Sequence, residues 1–144
     1  MAVLYLAPLF EKTTCHNIEK LKLDGNNFTS KAGEYIGMAL ASNPEYEIKK
    51  ISFKGMSLEN IGLVRIMEAA NANHNIKKLD VGILTDNGLT QLADLVRPNE
   101  SLDELVMTET KDHQKYWTDI GRGALCCSVR EATKLQWVHF NFTR

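Results

Sequence analysis

The chain has 144 residues, 44% of them hydrophobic and 24% charged, and its formal net charge is −1. This is the composition of one ordinary globular domain, and the charge balance favours neither a nucleic acid nor a membrane surface as partner. No apolar run approaches the roughly 18 residues that a membrane-spanning helix needs. Three cysteines, an odd number, give no disulfide framework, so we expect a reducing, cytoplasmic environment.

Residues 1–17 begin the chain with an apolar stretch. Val3, Leu6 and Phe10 are spaced to share one helical face, and the stretch runs without a basic lead-in into Glu11. We therefore interpret it as the helix of a partial repeat and not as a secretory signal.

Five similar six-residue segments follow, each with apolar residues at its first, fourth and sixth places. They are residues 18–23, 48–53, 76–81, 102–107 and 135–140. The spacing from the fourth to the sixth place is the period of two that a strand shows when one face lies in a core. The segments therefore predict five strands.

Between the strands, small or apolar residues recur four apart, the pattern of one buried helical face. The four sets are Ala32, Ile36 and Leu40; Gly62, Ile66 and Ala70; Gly88, Leu92 and Val96; Gly121, Leu125 and Val129. The small residue that starts each set predicts a close approach of helix and strand. Asn43-Pro44 and Pro98-Asn99 are predicted to end two of these helices.

Because strand and helix alternate, adjacent strands are expected to be parallel and joined by helical crossovers. We predict one domain over residues 1–144. It comprises the partial repeat 1–17, the repeats 18–47, 48–75, 76–101 and 102–134, and a terminal strand 135–144. The extra length of the fourth repeat falls between Thr108 and Thr118. The open first and last strands predict end-to-end association or a place in a larger chain.

Units of 26–33 residues with this L-x-x-L-x-L spacing resemble leucine-rich repeats of the ribonuclease-inhibitor-like type. The resemblance covers residues 18–140. It implies an α/β fold, a right-handed solenoid with a parallel sheet on the concave face and helices on the convex face. The loop asparagine of that family is present only at Asn26, and Met56 stands at the next equivalent place, so the loop hydrogen bonds are expected to differ.

A narrower resemblance is to the carboxy-terminal repeat half of the tropomodulin and leiomodin family. It is carried by Asn-His-Asn-Ile-Lys-Lys at 73–78, by Asn-Glu-Ser-Leu-Asp-Glu-Leu at 99–105, by the long fourth loop and by residues 135–143. The resemblance implies binding to actin at filament pointed ends. The helix that follows the last strand in that family is absent from this sequence, and none of the family's actin contacts can be matched to an individual residue.

The third and fifth places of each strand are predicted to point out of the concave face. The third place holds Lys20, Lys50, Lys78, Glu104 and Trp137, and the fifth holds Lys22, Ser52, Asp80, Val106 and His139. Lysines in register on adjacent strands repel one another, which favours a basic strip for an acidic partner surface. The other interpretation is an ordinary solvated face, with Asp80 and Glu104 compensating the lysines. The candidate binding residues are Lys20, Lys22, Lys50, Lys78, Glu104, Trp137 and His139.

Aromatic residues near the end of the chain have two interpretations. Trp137 and Phe142 are predicted to be exposed, either as anchors for a partner or as a cap over the last strand. The same question arises for Trp117 in the fourth loop, which we expect to fold into the start of the following helix.

The cysteines are the only residues that suggest thiol or metal chemistry. Cys126 and Cys127 occur with His113, and Cys15 lies beside His16, but neither CxxC nor HxxxH spacing is present. Adjacent cysteines on a helix also point in different directions. We therefore expect the cysteines to be small buried residues, and we expect no metal, no cofactor and no catalysis.

The predicted function is non-catalytic binding of another protein through the concave face, with actin as the partner that the narrower resemblance implies. One alternative is a ligand-sensing or scaffold segment of a larger protein, of the innate-immune-receptor or GTPase-activator kind. A thiol-dependent enzyme is the other alternative.

Overall fold

The computed structural model describes residues 18–27, 30–58, 60–110 and 117–142. The partial-repeat helix predicted for 1–17, with Cys15 and His16, lies outside the described residues, as does His113. Strands and helices alternate along the described chain as β1 (Lys20–Lys22), α1 (Ser30–Ala41), β2 (Lys50–Ser52), α2 (Ile61–Ala72), β3 (Lys78–Leu84), α3 (Asp86–Val96), β4 (Glu104–Glu109), α4 (Asp119–Glu131) and β5 (Trp137–Phe142).

The five strands form one parallel sheet in the order β1-β2-β3-β4-β5, so each helix joins two neighbouring strands. The predicted α/β class and parallel pairing are therefore confirmed. The third places of the strands also lie in register, because the paired residues are Lys20 with Lys50, Lys50 with Lys78, Lys78 with Glu104, and Glu104 with Trp137.

The core lies between the sheet and the helices. In the second to fourth units, all apolar residues at the first, fourth and sixth strand places are buried, and Leu79 is fully inaccessible. The predicted helical faces are buried too, apart from Val129, which is half-buried. In the last unit Leu135 and Val138 are only partly buried, and Phe140 is 43% exposed. The pattern predicted Phe140 to face the core, but no helix covers β5 in the described part of the chain.

Two of the four small residues at the helix starts, Gly62 and Gly121, bring helix against helix, whereas the prediction was an approach of helix and strand. A Cβ atom added at Gly62 of α2 would collide with the backbone of Ser30 at the start of α1. The Gly62 amide donates a hydrogen bond of 3.0 Å to Ser30 Oγ. Gly121 of α4 lies in the same way against Asp86 of α3. The contact partner differs from the prediction because neighbouring helices meet at their first turns.

Buried asparagines hold the turns that lead from helix to strand. The side chain of Asn73 donates to the Tyr46 carbonyl at 2.9 Å, and Asn99 Oδ1 accepts from the Leu102 amide at 2.7 Å. The side chains of these asparagines form hydrogen bonds with backbone groups of the turns, which would otherwise be buried without hydrogen-bond partners. Asn26, the residue matched to the loop asparagine of the repeat family, is exposed and bonds only locally, to Leu23 and Asp24. The asparagine positions that stabilise this chain therefore lie at the other end of the repeat.

Among the described residues, no helix has the length and apolar character needed to cross a membrane.

Candidate functional site

The side chains at the third and fifth strand places form one side of the sheet, which we call the polar face. Its members are Lys20, Lys22, Lys50, Ser52, Lys78, Asp80, Glu104, Val106, Trp137 and His139. A groove with a volume of about 390 Å³ runs over this face from β1 to β5. Every candidate binding residue except Trp137 lines the groove. The structure therefore brings together residues that are far apart in sequence, as the repeat register predicted.

Three lysines on β1 and β2 lack anionic partners. Lys20, Lys22 and Lys50 are exposed, and none of them forms an ion pair within the described residues. The pKa of Lys20 is lowered from its ordinary value, chiefly by the charge of Lys22, then by partial desolvation and by the charges of Lys50 and Lys78. This end of the polar face therefore holds positive charge that no ion pair neutralises within the part of the chain that the structure describes.

One acid beside the groove, Asp24, is already engaged in hydrogen bonds. Asp24 Oδ1, in the turn after β1, accepts hydrogen bonds from the Ser52 hydroxyl and from the Lys54 amide, the latter at 3.1 Å. Gly25 and Gly55 form the two adjacent turns with positive φ angles of 69° and 79°, which suit glycine. Asp24 thus ties two neighbouring turns together and makes no ion pair with Lys22 among the described contacts.

The other end of the polar face compensates its own charges. Glu104 Oε1 lies 3.0 Å from Lys78 Nζ and 2.9 Å from His139 Nε2, so one carboxylate joins β3, β4 and β5. The ring of His139 lies nearly parallel to that of Trp137, at 19° and with ring centroids 6.5 Å apart. Trp137 is 62% exposed, as predicted. Glu104 therefore compensates Lys78, as the solvated-face interpretation expected.

Asp80 and Val106 line the groove, in agreement with their predicted places on this face, but both are buried. Asp80 is 6% exposed because it lies between Ser52 and Val106 in the register of the sheet. Burial raises the pKa of Asp80, and the hydrogen bond of 2.9 Å from the Gly82 amide opposes that rise. Asp80 forms no ion pair with a lysine within the described residues, but the charges of Lys54 and Lys78 also oppose the rise in its pKa, so Asp80 compensates these lysines only at longer range.

An aromatic cluster closes the last unit on the core side of the sheet. Trp117 is buried immediately before α4, and its Nε1 donates to the Leu84 carbonyl at 3.0 Å. The expectation that Trp117 folds in at the helix start is therefore confirmed. Its ring meets Phe140 edge-on at 5.8 Å and Phe142 at 6.4 Å. This contact favours the cap interpretation for Phe142, whereas Trp137 on the polar face takes no part in the cluster.

The expectation of buried cysteines is wrong for Cys126 and Cys127, which are free and exposed. Cys126 occupies in α4 the place that Ala93 occupies in α3, where α4 covers it. No further helix covers α4 in the part of the chain that the structure describes. The same described part contains no cluster of three or more side chains suited to holding a metal ion.

Comparison of the sequence with models of known protein families, and with curated proteins, gave no match.

Proposed function

We propose that this chain is a leucine-rich-repeat protein of the ribonuclease-inhibitor-like type that binds another protein through its polar face, without catalysis. Five parallel strands whose third places lie in register, with a helix after each of β1 to β4, support the repeat assignment. Strand–helix–strand crossovers are right-handed in about 98% of cases, so stacking such units generates a right-handed solenoid with the sheet on its concave side.

The single observation that carries the proposal is the set of lysines Lys20, Lys22 and Lys50 beside a groove, which form no ion pair within the described residues. Their mutual repulsion opposes folding, and an acidic partner surface would relieve it. Charge complementarity of this kind steers encounter and fixes register, while aromatic anchors such as Trp137 carry more of the affinity.

Actin is the first partner to test, on the resemblance to the tropomodulin and leiomodin family. We propose a cytoplasmic interaction, and the open ends of the sheet leave room for end-to-end association or a larger chain as its context. The assay is elongation of actin filaments at the pointed end. Inhibition of elongation by the chain would support actin as the partner. An unchanged elongation rate would exclude actin as the partner but would not contradict the proposal that the chain binds another protein.

The general proposal is tested by charge reversal with a matched control. Proteins captured from the source cell are identified by mass spectrometry, and association with the captured partner is then measured over a range of salt concentrations. Lys20→Glu with Lys50→Glu should slow association and weaken its salt dependence. The control, Lys31→Glu with Lys134→Glu, changes the net charge equally but away from the polar face. If the control abolishes binding and the polar-face variant does not, the wrong surface has been chosen.

A further inference from the structure

The polar face has two chemically different ends. At β1 and β2 it carries the ammonium groups of Lys20, Lys22 and Lys50, which form no ion pair within the described residues. At β3 to β5, Glu104 Oε1 lies 3.0 Å from Lys78 Nζ and 2.9 Å from His139 Nε2, and Trp137 stands exposed beside His139. A ligand with one uniform character would therefore fit only half of the face.

We infer that the polar face binds an extended polypeptide segment that crosses the strands, with a cluster of carboxylates over β1 and β2 and an apolar side chain against Trp137. This inference rests on the proposed function, because it specifies the partner chemistry of the same face.

Carboxylates belong at the β1 and β2 end because the lysines there form no ion pair among the residues that the structure describes. The lowered pKa of Lys20 reports the same crowding of positive charge, with Lys22 as its largest source. At the other end, Glu104 already lies against Lys78 Nζ and His139 Nε2, and a second carboxylate would be repelled by it. Acidic groups of a ligand are therefore confined to one end.

An apolar side chain belongs at the β5 end because Trp137 offers a large and ordered surface there. Its indole lies alongside the His139 ring on one side, and most of the remaining surface is open to solvent. Covering an aromatic side chain of this size is a common source of binding energy in protein interfaces. The aromatic residues Phe140 and Phe142 lie in the separate cluster around Trp117 and do not contribute to this contact.

The strand spacing sets the length of the segment. Neighbouring strands are about 4.8 Å apart, so the path from β2 to β5 is roughly 14 Å and that from β1 to β5 roughly 19 Å. An extended chain advances about 3.3 Å per residue. The acidic cluster and the apolar residue should therefore be separated by about five residues.

A single-stranded nucleic acid is the competing ligand, since lysines and an exposed indole also suit phosphates and bases. A continuous phosphate backbone crossing the face would pass over Asp80 and Glu104, which line the same groove. The interruption of positive charge at β3 and β4 therefore favours a peptide whose charges occur at one end only.

The inference is tested with fluorescent peptides titrated into the full chain by anisotropy. The first peptide has four glutamates, a five-residue Gly/Ser spacer and a phenylalanine. The second lacks the phenylalanine, the third replaces the glutamates by serines, and the fourth has a one-residue spacer. We expect the first to bind about tenfold more tightly than each of the others, because both ends of the face then act together.

Variants assign the two contacts separately. Trp137→Ala should reduce the affinity of the first peptide to that of the second and leave the affinity of the second unchanged. Lys20→Ala with Lys50→Ala should weaken the first and second peptides about tenfold and reduce their salt dependence. Lys31→Ala with Lys134→Ala is the matched control and should change neither affinity. Circular dichroism establishes that each variant is folded.

Two results would overturn the inference: equal affinity of the first and second peptides, or tighter binding of an oligonucleotide with the same charge as the first peptide. Failure of the peptide inference is distinguishable from failure of the proposed function. If the captured partner depends on Lys20 and Lys50 while the peptides do not discriminate, the interaction module stands and the bipartite segment is wrong. If neither depends on these lysines, both are wrong.

Discussion

The middle of the sheet and its β5 end carry the same apolar spacing but differ in what surrounds them. Val81 on β3 is fully buried, whereas Val138 on β5 is only partly buried and Phe140 is exposed. The helices show the same contrast, because Ala93 of α3 is covered by the next helix and its counterpart Cys126 of α4 is not. The burial of a residue in this architecture thus depends on the next unit as much as on its own unit.

The largest effect in a test of this comparison is expected from shortening a side chain in the middle of the core. Leu79 is fully buried between sheet and helices, so Leu79→Ala should cost roughly 2–5 kcal/mol of unfolding free energy in a denaturant titration. The same substitution at two valines sharpens the contrast. Val81→Ala should lower the free energy of unfolding clearly more than Val138→Ala does. Equal costs at these two valines would mean that β5 is covered in solution.

A smaller effect is expected from two glycines in helices. Gly62→Ala would force a Cβ atom into the backbone of Ser30 and should destabilise the protein by about 1–3 kcal/mol. A Cβ atom at Gly123 meets nothing within 4 Å, so Gly123→Ala should stabilise α4 by roughly 0.5–1 kcal/mol. Thermal unfolding should therefore shift in opposite directions. An increase in the thermal unfolding temperature from both substitutions would contradict the close contact between α1 and α2.

The smallest effect concerns the pH dependence of stability at Asp80. Because burial raises the pKa of Asp80 in the folded state, the folded protein holds this proton to a higher pH than the unfolded chain does. The contribution of Asp80 to stability therefore falls as pH rises from the unfolded pKa through the raised folded pKa. Asp80→Asn should remove this fall and increase stability at neutral pH, since an amide oxygen can still accept from the Gly82 amide.

The same substitution at the exposed Asp94 serves as the control for replacing a carboxylate by an amide. A loss of stability at neutral pH from Asp80→Asn would mean that the charged carboxylate, and not only its hydrogen bond, supports the sheet.

Much of the sheet was predictable from the sequence because its apolar spacing repeats. The places of Leu79 in the core and of Lys50 in register with Lys20 followed from that repetition. The burial of Asp80 did not follow, because it depends on Ser52 and Val106 on either side. The role of Asn99 depends likewise on a turn whose amides come together only after packing. The identity of a partner stays a prediction, since surface chemistry repeats far less regularly than a core.

The glycine contact between α1 and α2 has a consequence for the bending of the sheet. Packed helices usually lie 8–10 Å apart, while paired strands lie about 4.8 Å apart, and this mismatch curves a sheet that carries helices on one side. Gly33, Gly37 and Gly62 leave no room for side chains between α1 and α2, which reduces the mismatch at this pair. We therefore expect the strands that carry Lys20 and Lys50 to diverge less in direction than bulkier helices would make them, so that side-chain volume on the helix side of the sheet influences the spacing of these lysines on the other side.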